Sequence, residues 1–214
     1  MSRPAHIEAL LALAEPLWPD LAPTAPVGTR TRLMFVAPHA GAGTTTMAAA
    51  AAIGLATNLR RPVAVVEADL RRPGLAKLLG IVPLPGLGEV LEGRARIDQA
   101  LSSVAGCEHI KVVPAGAARA PKPGELAPDS LWAALQGVSN AAHFVLIDAP
   151  PLLEGSTTRP LLSNLDGAVL VVQAGVTKKS DAKQCVSILQ RAGVRVLGTV
   201  LNRYVDDLLF DISA

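Results

Sequence analysis

The sequence predicts an α/β fold: a doubly wound, mainly parallel sheet of six to eight strands with helices on both faces. Three observations predict it. Short apolar runs rich in β-branched residues recur as "RLMFVA", "PVAVVEA", "HIKVVPA", "HFVLIDA", "GAVLVVQA" and "VRVLGTVLN", and strands that are apolar at every position are strands buried on both faces. Segments of helical composition, such as residues 131–138 and 180–192, separate most of these runs, which gives parallel pairs joined by right-handed crossovers. Only 3% of the residues are aromatic while half are hydrophobic, so the core is made of Ala, Val, Leu and Ile layers, which suits a parallel sheet covered by helices.

The 214 residues allow one good-sized core. The opening "MSRPAHIEALLALAEPLWPD" reads as a short amphipathic helix; Glu15 and two prolines interrupt the apolar run that a secretory signal needs. Residues 17–30, "LWPDLAPTAPVGTR", hold three prolines and a glycine and read as a linker. The expected organisation is therefore an N-terminal helix and Pro-rich linker over 1–30, a main domain over 31–204 and a short tail over 205–214. Residues 33–59 contain no Asp, Glu, Lys or Arg, yet Pro38, Gly41, Gly43 and three consecutive threonines break the hydrogen bonding of a membrane-spanning helix. The stretch 114–128, "PAGAARAPKPGELAP", reads as a surface loop. A net charge of +2 is too small for a nucleic-acid footprint, and Cys107 and Cys185 have neither disulfide-framework nor zinc spacing. A reducing cytoplasm is the expected compartment.

Ligands of doubly wound sheets sit at the carboxyl ends of the strands, and three strand ends carry chemistry. After "RLMFVA", Gly41, Ala42 and Gly43 let the backbone curl so that N–H groups face inward, and a helix opening at Thr44, Thr45 and Thr46 adds its dipole for an anion. The general phosphate-loop formula fails at Pro38 and at Thr44, where a lysine belongs, while Thr45 keeps the magnesium-binding hydroxyl. After "PVAVVEA", Glu67 and Asp69 alternate and project to one side, where they could hold Mg²⁺ or accept a hydroxyl proton. "FVLIDAPP" places Asp148 at a strand tip, as a carboxylate reaching magnesium does.

Together "APHAGAGTTT", "VVEADLRRPGLAKLLG", "PGLGEVLEG", "VVPAGAARAPKPGEL", "FVLIDAPPLLEGSTT", "LDGAVLVVQAGVTKK" and "VLGTVLNR" resemble the cytoplasmic domain of bacterial tyrosine kinases of capsular and exopolysaccharide synthesis. The resemblance covers about residues 31–203. It implies the P-loop fold of the branch that includes septum-site (MinD) and chromosome-partitioning (ParA) ATPases, with ATP or ADP and Mg²⁺ as cofactors. It also implies catalytic roles for Asp69, Glu67 and Asp148, a cofactor cradle of Gly41, Ala42, Gly43, Thr44, Thr45 and Thr46, and a metal site of Thr45, Glu67 and Asp148. Asn202 is the implied adenine contact. The implied partner is a membrane polysaccharide co-polymerase of the chain-length-determinant type (Wzz/Wzc-like), which would recruit the protein to the inner membrane; self-association is implied too, and nucleic acid is not.

The sequence departs from that family at four places. Thr44 replaces the phosphate-binding lysine, Glu67 replaces an aspartate, and Tyr204 is the only tyrosine where the family has a tyrosine-rich tail. Of the N-terminal Glu and Arg assembly motif only Glu8 is present. Losing the lysine removes about 1.5 to 3 kcal/mol of charge-assisted contact and a cation that phosphoryl transfer uses. His39 stands where wider relatives carry a second lysine. The expected function is a kinase-like regulator of exopolysaccharide, capsule or holdfast-type synthesis and export with weakened or lost tyrosine kinase activity; the alternatives are an active tyrosine autokinase and a positioning ATPase of the MinD, ParA or pilus-assembly type. Two apolar edges, Ile7, Leu10, Leu11 and Leu17, and Val205, Leu208, Leu209 and Ile212, have two readings: docking of a partner, or ordinary core packing.

Overall fold

In the computed structural model, which describes residues 4–17, 21, 30–117, 128–154 and 158–205, the chain alternates strands and helices. Its elements are α1 (Ala5–Ala14), β1 (Thr31–Val36), α2 (Thr44–Leu59), β2 (Val63–Glu67), α3 (Leu75–Leu79), α4 (Leu87–Leu91), β3 (Ser102–Val104), β4 (Cys107–Val113), α5 (Pro128–Ala141), β5 (Phe144–Asp148), β6 (Gly167–Gln173), α6 (Lys179–Arg191) and β7 (Val196–Asn202). One seven-stranded sheet runs in the order β3-β4-β2-β5-β1-β6-β7. All neighbouring pairs are parallel except β3 with β4, which is the doubly wound sheet expected. The sequence pattern does not signal β3, because three residues, "SSV", are too short to show a period; β3 is tied back to β4 by a tight turn at Gly106, whose φ is 75°.

Alternation along the strands makes the layers. Leu33 and Phe35 of β1, Val63 and Val65 of β2, and Phe144 and Leu146 of β5 join one buried cluster with α1 and α2. Met34 and Val36, Ala64 and Val66, and Val145 and Ile147 join the other, with α5 and α6. Successive side chains leave opposite faces of a strand, so an unbroken apolar run has helices above and below it.

Residues 47–56 of α2 are all buried, because the helix lies between the sheet and α1. Its alanines let it sit close to both, which explains a core with so few aromatic rings. Ile7 and Leu10 of α1 are 0% and 4% exposed and Leu11 and Leu17 pack against the same cluster. Of the two readings of this edge, Ile7 and Leu10 meet the one of core packing: they cover the apolar outer side of α2, where burial stabilises the pair of helices. Of the second edge, Val205 is exposed, and Leu208, Leu209 and Ile212 lie outside the described residues. No helix among the described residues is long and apolar enough to cross a membrane.

β1 lies between β5 and β6, where the strand order switches direction. Doubly wound sheets bind ligands in the crevice outside the carboxyl ends at that point.

Candidate nucleotide site

From the end of β1 the backbone turns through residues 37–43 into α2. Gly41 and Gly43 have φ of +85° and +94°, a region that a residue with a Cβ enters only at a cost. Gly43 is also the N-cap of α2 and brings no side chain to its first-turn N–H groups, so those donors point to an anion. A Cβ on Gly43 would collide with the amide of Asn202, whose Nδ2 donates to the Ala42 carbonyl at 2.7 Å. Asn202 thus props the loop from the end of β7. Gln173, at the end of β6 and with its amide turned to satisfy both neighbours, donates to the Gly41 carbonyl at 3.2 Å and accepts from Arg203 at 3.3 Å.

β2 and β5 run side by side with Glu67 opposite Asp148, and each carboxylate is 1% exposed. Their surroundings differ. The Glu67 Oε1 accepts from the backbone N–H groups of Gly74 and Leu75 at 2.5 and 2.6 Å, and its Oε2 from that of Ala115 at 2.9 Å. Glu67, expected as a base or metal ligand, accepts from three amides and fixes the start of α3 to the end of β4.

Asp148 keeps one oxygen, Oδ2, with no hydrogen-bond partner. Burial pushes its pKa up to about 8; the Thr45 hydroxyl, hydrogen-bonded to it, offsets part of that shift, and the charges of Glu67 and Asp69 add to it. A buried, partnerless carboxylate oxygen beside a hydroxyl on the first turn of α2 fits a divalent cation, which would restore the ionised form. Asp69 accepts at Oδ1 from the backbone N–H groups of Arg71 and Arg72, both at 3.2 Å, and shapes the turn after β2.

The three strand ends therefore meet at one edge: the loop, Thr45, Glu67, Asp69 and Asp148. The sequence reading missed Glu154. Backbone bonds from Leu152 to the Ala37 carbonyl and from Leu153 to the Pro38 carbonyl, 2.9 and 3.1 Å, lay the chain after β5 along the loop. Glu154 then accepts from the Ala40 N–H at 2.6 Å and from Arg72 at 2.8 Å, and that N–H and guanidinium hold its carboxyl below the usual range. His39 contacts Asp181 of α6 at 3.0 Å and lies 3.7 Å from Glu154. The signal available in the sequence was position alone, as Glu154 is the first charged residue after Asp148. Thr45, Thr46, Gly74 and Lys77 line an open cavity of about 500 Å³ beside the loop.

Known proteins resemble the chain in sequence and in fold. No protein-family model matches the chain. An uncharacterized ATP-binding protein of Methanocaldococcus jannaschii is 32% identical over 76% of this chain and 60% of its own length. The tyrosine-protein kinase YwqD of Bacillus subtilis is 29% identical over 79% and 71%. This chain thus spans well under the full length of either relative. Among solved structures, the VpsO kinase domain shares the fold with a TM-score of 0.80 at 23% identity, over 93% of this chain and 96% of that one. MinD of Pyrococcus horikoshii, solved with Mg-ADP, has a TM-score of 0.69 at 27% identity, over 82% and 71%.

Proposed function

We propose, for a chain that belongs to the bacterial tyrosine-protein kinase family, that it is a nucleotide-binding, kinase-like regulator of exopolysaccharide, capsule or holdfast-type synthesis and export, with weakened phosphoryl transfer. The observation that carries this reading is the pairing of a kept pocket with a missing cation. The glycine loop, the Thr45 hydroxyl and the partnerless Asp148 oxygen remain, while Thr44 opens α2 where the family's lysine belongs.

Thr45 and Asp148 are the residues to hold Mg²⁺, and the loop and the first turn of α2 are the cradle for ATP or ADP. Bound magnesium would supply positive charge for the phosphates. The chain's own contribution is to fix the loop through Asn202 and Gln173 and to hold Thr45 against Asp148. Without the lysine, less charge stabilisation is available in the transition state, so binding survives better than turnover. Recruitment to the inner membrane by a polysaccharide co-polymerase, self-association and a cytoplasmic location belong to the same proposal.

A second reading, an active autokinase, is favoured by one observation: Tyr204 follows the Asn202 and Arg203 end of β7 and is 63% exposed. Titration of the protein with ATP and with ADP, with and without Mg²⁺, tests the first reading, and labelled ATP tests the second. Mg²⁺-dependent binding with little or no label on Tyr204 is the expected result. Absence of binding of either nucleotide overturns the proposal, and stoichiometric labelling that Tyr204→Phe abolishes replaces it with the autokinase.

A further inference from the structure

We propose that Glu154 occupies the seat of a nucleotide's terminal phosphate, and that Arg72 is the cation handed to that phosphate when the carboxylate is displaced. The site then tells a nucleoside triphosphate from a diphosphate by this exchange. The inference rests on the nucleotide reading above and names the residues that set its specificity.

Both oxygens of the Glu154 carboxylate are taken by donors of the kind that hold a phosphoryl group. Oε1 accepts from the Ala40 N–H of the loop at 2.6 Å, and Oε2 from the Arg72 guanidinium at 2.8 Å. Charge-assisted bonds from a backbone amide and an arginine are the strong class used for phosphate and carboxylate alike. The carboxylate is delivered by the backbone, since the bonds of Leu152 and Leu153 to the Ala37 and Pro38 carbonyls fix residues 152 and 153 against the loop. Arg72 is held in reserve on the same spot, with Asp69 3.6 Å from its Nε.

Position along the loop gives the discrimination. Ala40 lies at the far end of the loop from α2, whose first turn starts at Thr44. A diphosphate seated on that first turn and on the Gly41 and Gly43 curve leaves Glu154 in place. One further phosphoryl group, extending along the loop, reaches Ala40 and meets a carboxylate, and two anions within hydrogen-bond distance of one N–H repel each other. The triphosphate therefore binds by expelling Glu154 and inheriting Ala40 and Arg72. Asp148, with its buried partnerless oxygen beside Thr45, marks where the cation that accompanies the phosphates would sit.

The test compares Kd values for Mg-ATP and Mg-ADP in the wild type, Glu154→Gln and Arg72→Gln, with the Ala40 amide resonance of the nucleotide-free protein as a second readout. Glu154→Gln is expected to tighten Mg-ATP by about tenfold while Mg-ADP changes by less than about twofold. Arg72→Gln is expected to weaken Mg-ATP selectively, by about fivefold or more. The Ala40 amide shift should move in Glu154→Gln without nucleotide. Equal changes for the two nucleotides, or none, in a wild type that binds them overturn this inference and leave the nucleotide reading standing. So does an Ala40 resonance that stays put in a folded Glu154→Gln protein. If neither the wild type nor Thr44→Lys binds any nucleotide, the nucleotide reading itself falls and takes this inference with it.

Discussion

The carboxyl ends of β2 and β5 are adjacent, in register and equally buried, yet they treat their carboxylates in opposite ways. Glu67 has three backbone N–H groups on its two oxygens. Asp148 has an oxygen with none, and a pKa pushed up to about 8 by burial. A buried acid that is fully hydrogen-bonded has its solvation replaced by the protein and serves the fold. A buried acid left short is held at a cost that a ligand can relieve. Two residues that look alike in sequence as acids at strand ends are thus separated by an inventory of donors.

The largest effect that this comparison predicts is on stability. Glu67→Ala leaves the N–H groups of Gly74, Leu75 and Ala115 without their acceptor, and unfolding in urea should show a loss of about 3 to 5 kcal/mol. Glu67→Asp, which restores the family's shorter acid, should lose about 1 to 2 kcal/mol, because the carboxylate retreats by one methylene from amides fixed by α3 and β4. A Glu67→Ala protein as stable as the wild type breaks the comparison outright.

Asp148→Asn should act in the other direction. With a folded-state pKa of about 8 and an unfolded value near 4, the folded protein binds one proton more than the unfolded one between those limits. Stability from this group is therefore complete below about pH 4 and is lost as pH rises through about 8. Without Mg²⁺, Asp148→Asn should flatten that slope and at pH 8 gain about 2 to 3 kcal/mol, read as a Tm higher by about 4 to 10 °C. The same variant should lose the Mg²⁺ dependence of nucleotide binding. Equal destabilisation by Asp148→Asn and Glu67→Ala would mean that both acids are structural.

What the sequence shows of this follows its physics. The sheet was legible because β1, β2, β5 and β6 carry unbroken apolar runs at 33–36, 63–66, 144–147 and 168–172, a pattern that burial on both faces requires, and because glycines stand where the loop needs positive φ. The three acids were legible as strand-end residues. Their division of labour was not, since it depends on which amides α3 and residue 115 bring to Glu67, 7 to 48 positions away. Glu154 was hidden for the same reason: nothing local marks a glutamate whose partners are Ala40 and Arg72. The N-terminal edge kept two readings because a sequence does not say what an apolar helix face packs against; here Ile7 and Leu10 of α1 pack against α2.

Gly43→Ala tests the loop side of the comparison. A Cβ at φ +94° pressed against the Asn202 amide should cost about 1 to 3 kcal/mol and detach Asn202 from the Ala42 carbonyl. Nucleotide affinity should fall, while the urea midpoint of Gly43→Ala/Asn202→Ala recovers part of the loss. Recovery locates the strain in that contact; none would place it in the backbone angle alone.

Thr44→Lys gives the smallest expected change and the sharpest discrimination. A lysine at the first position of α2 meets the positive end of the helix dipole, which should lower the stability of the nucleotide-free protein by about 0.3 to 1 kcal/mol. In Mg-ATP the same ammonium gains a charge-assisted contact with phosphate, so affinity should rise by about tenfold or more. The two measurements move in opposite directions only if the loop is a phosphate site, because an ordinary glycine turn offers a lysine the penalty and no compensation. A Thr44→Lys protein that loses stability and gains no affinity for ATP would show that the spare oxygen of Asp148 awaits something other than a metal-bound nucleotide, and the contrast with Glu67 would then reflect packing rather than function.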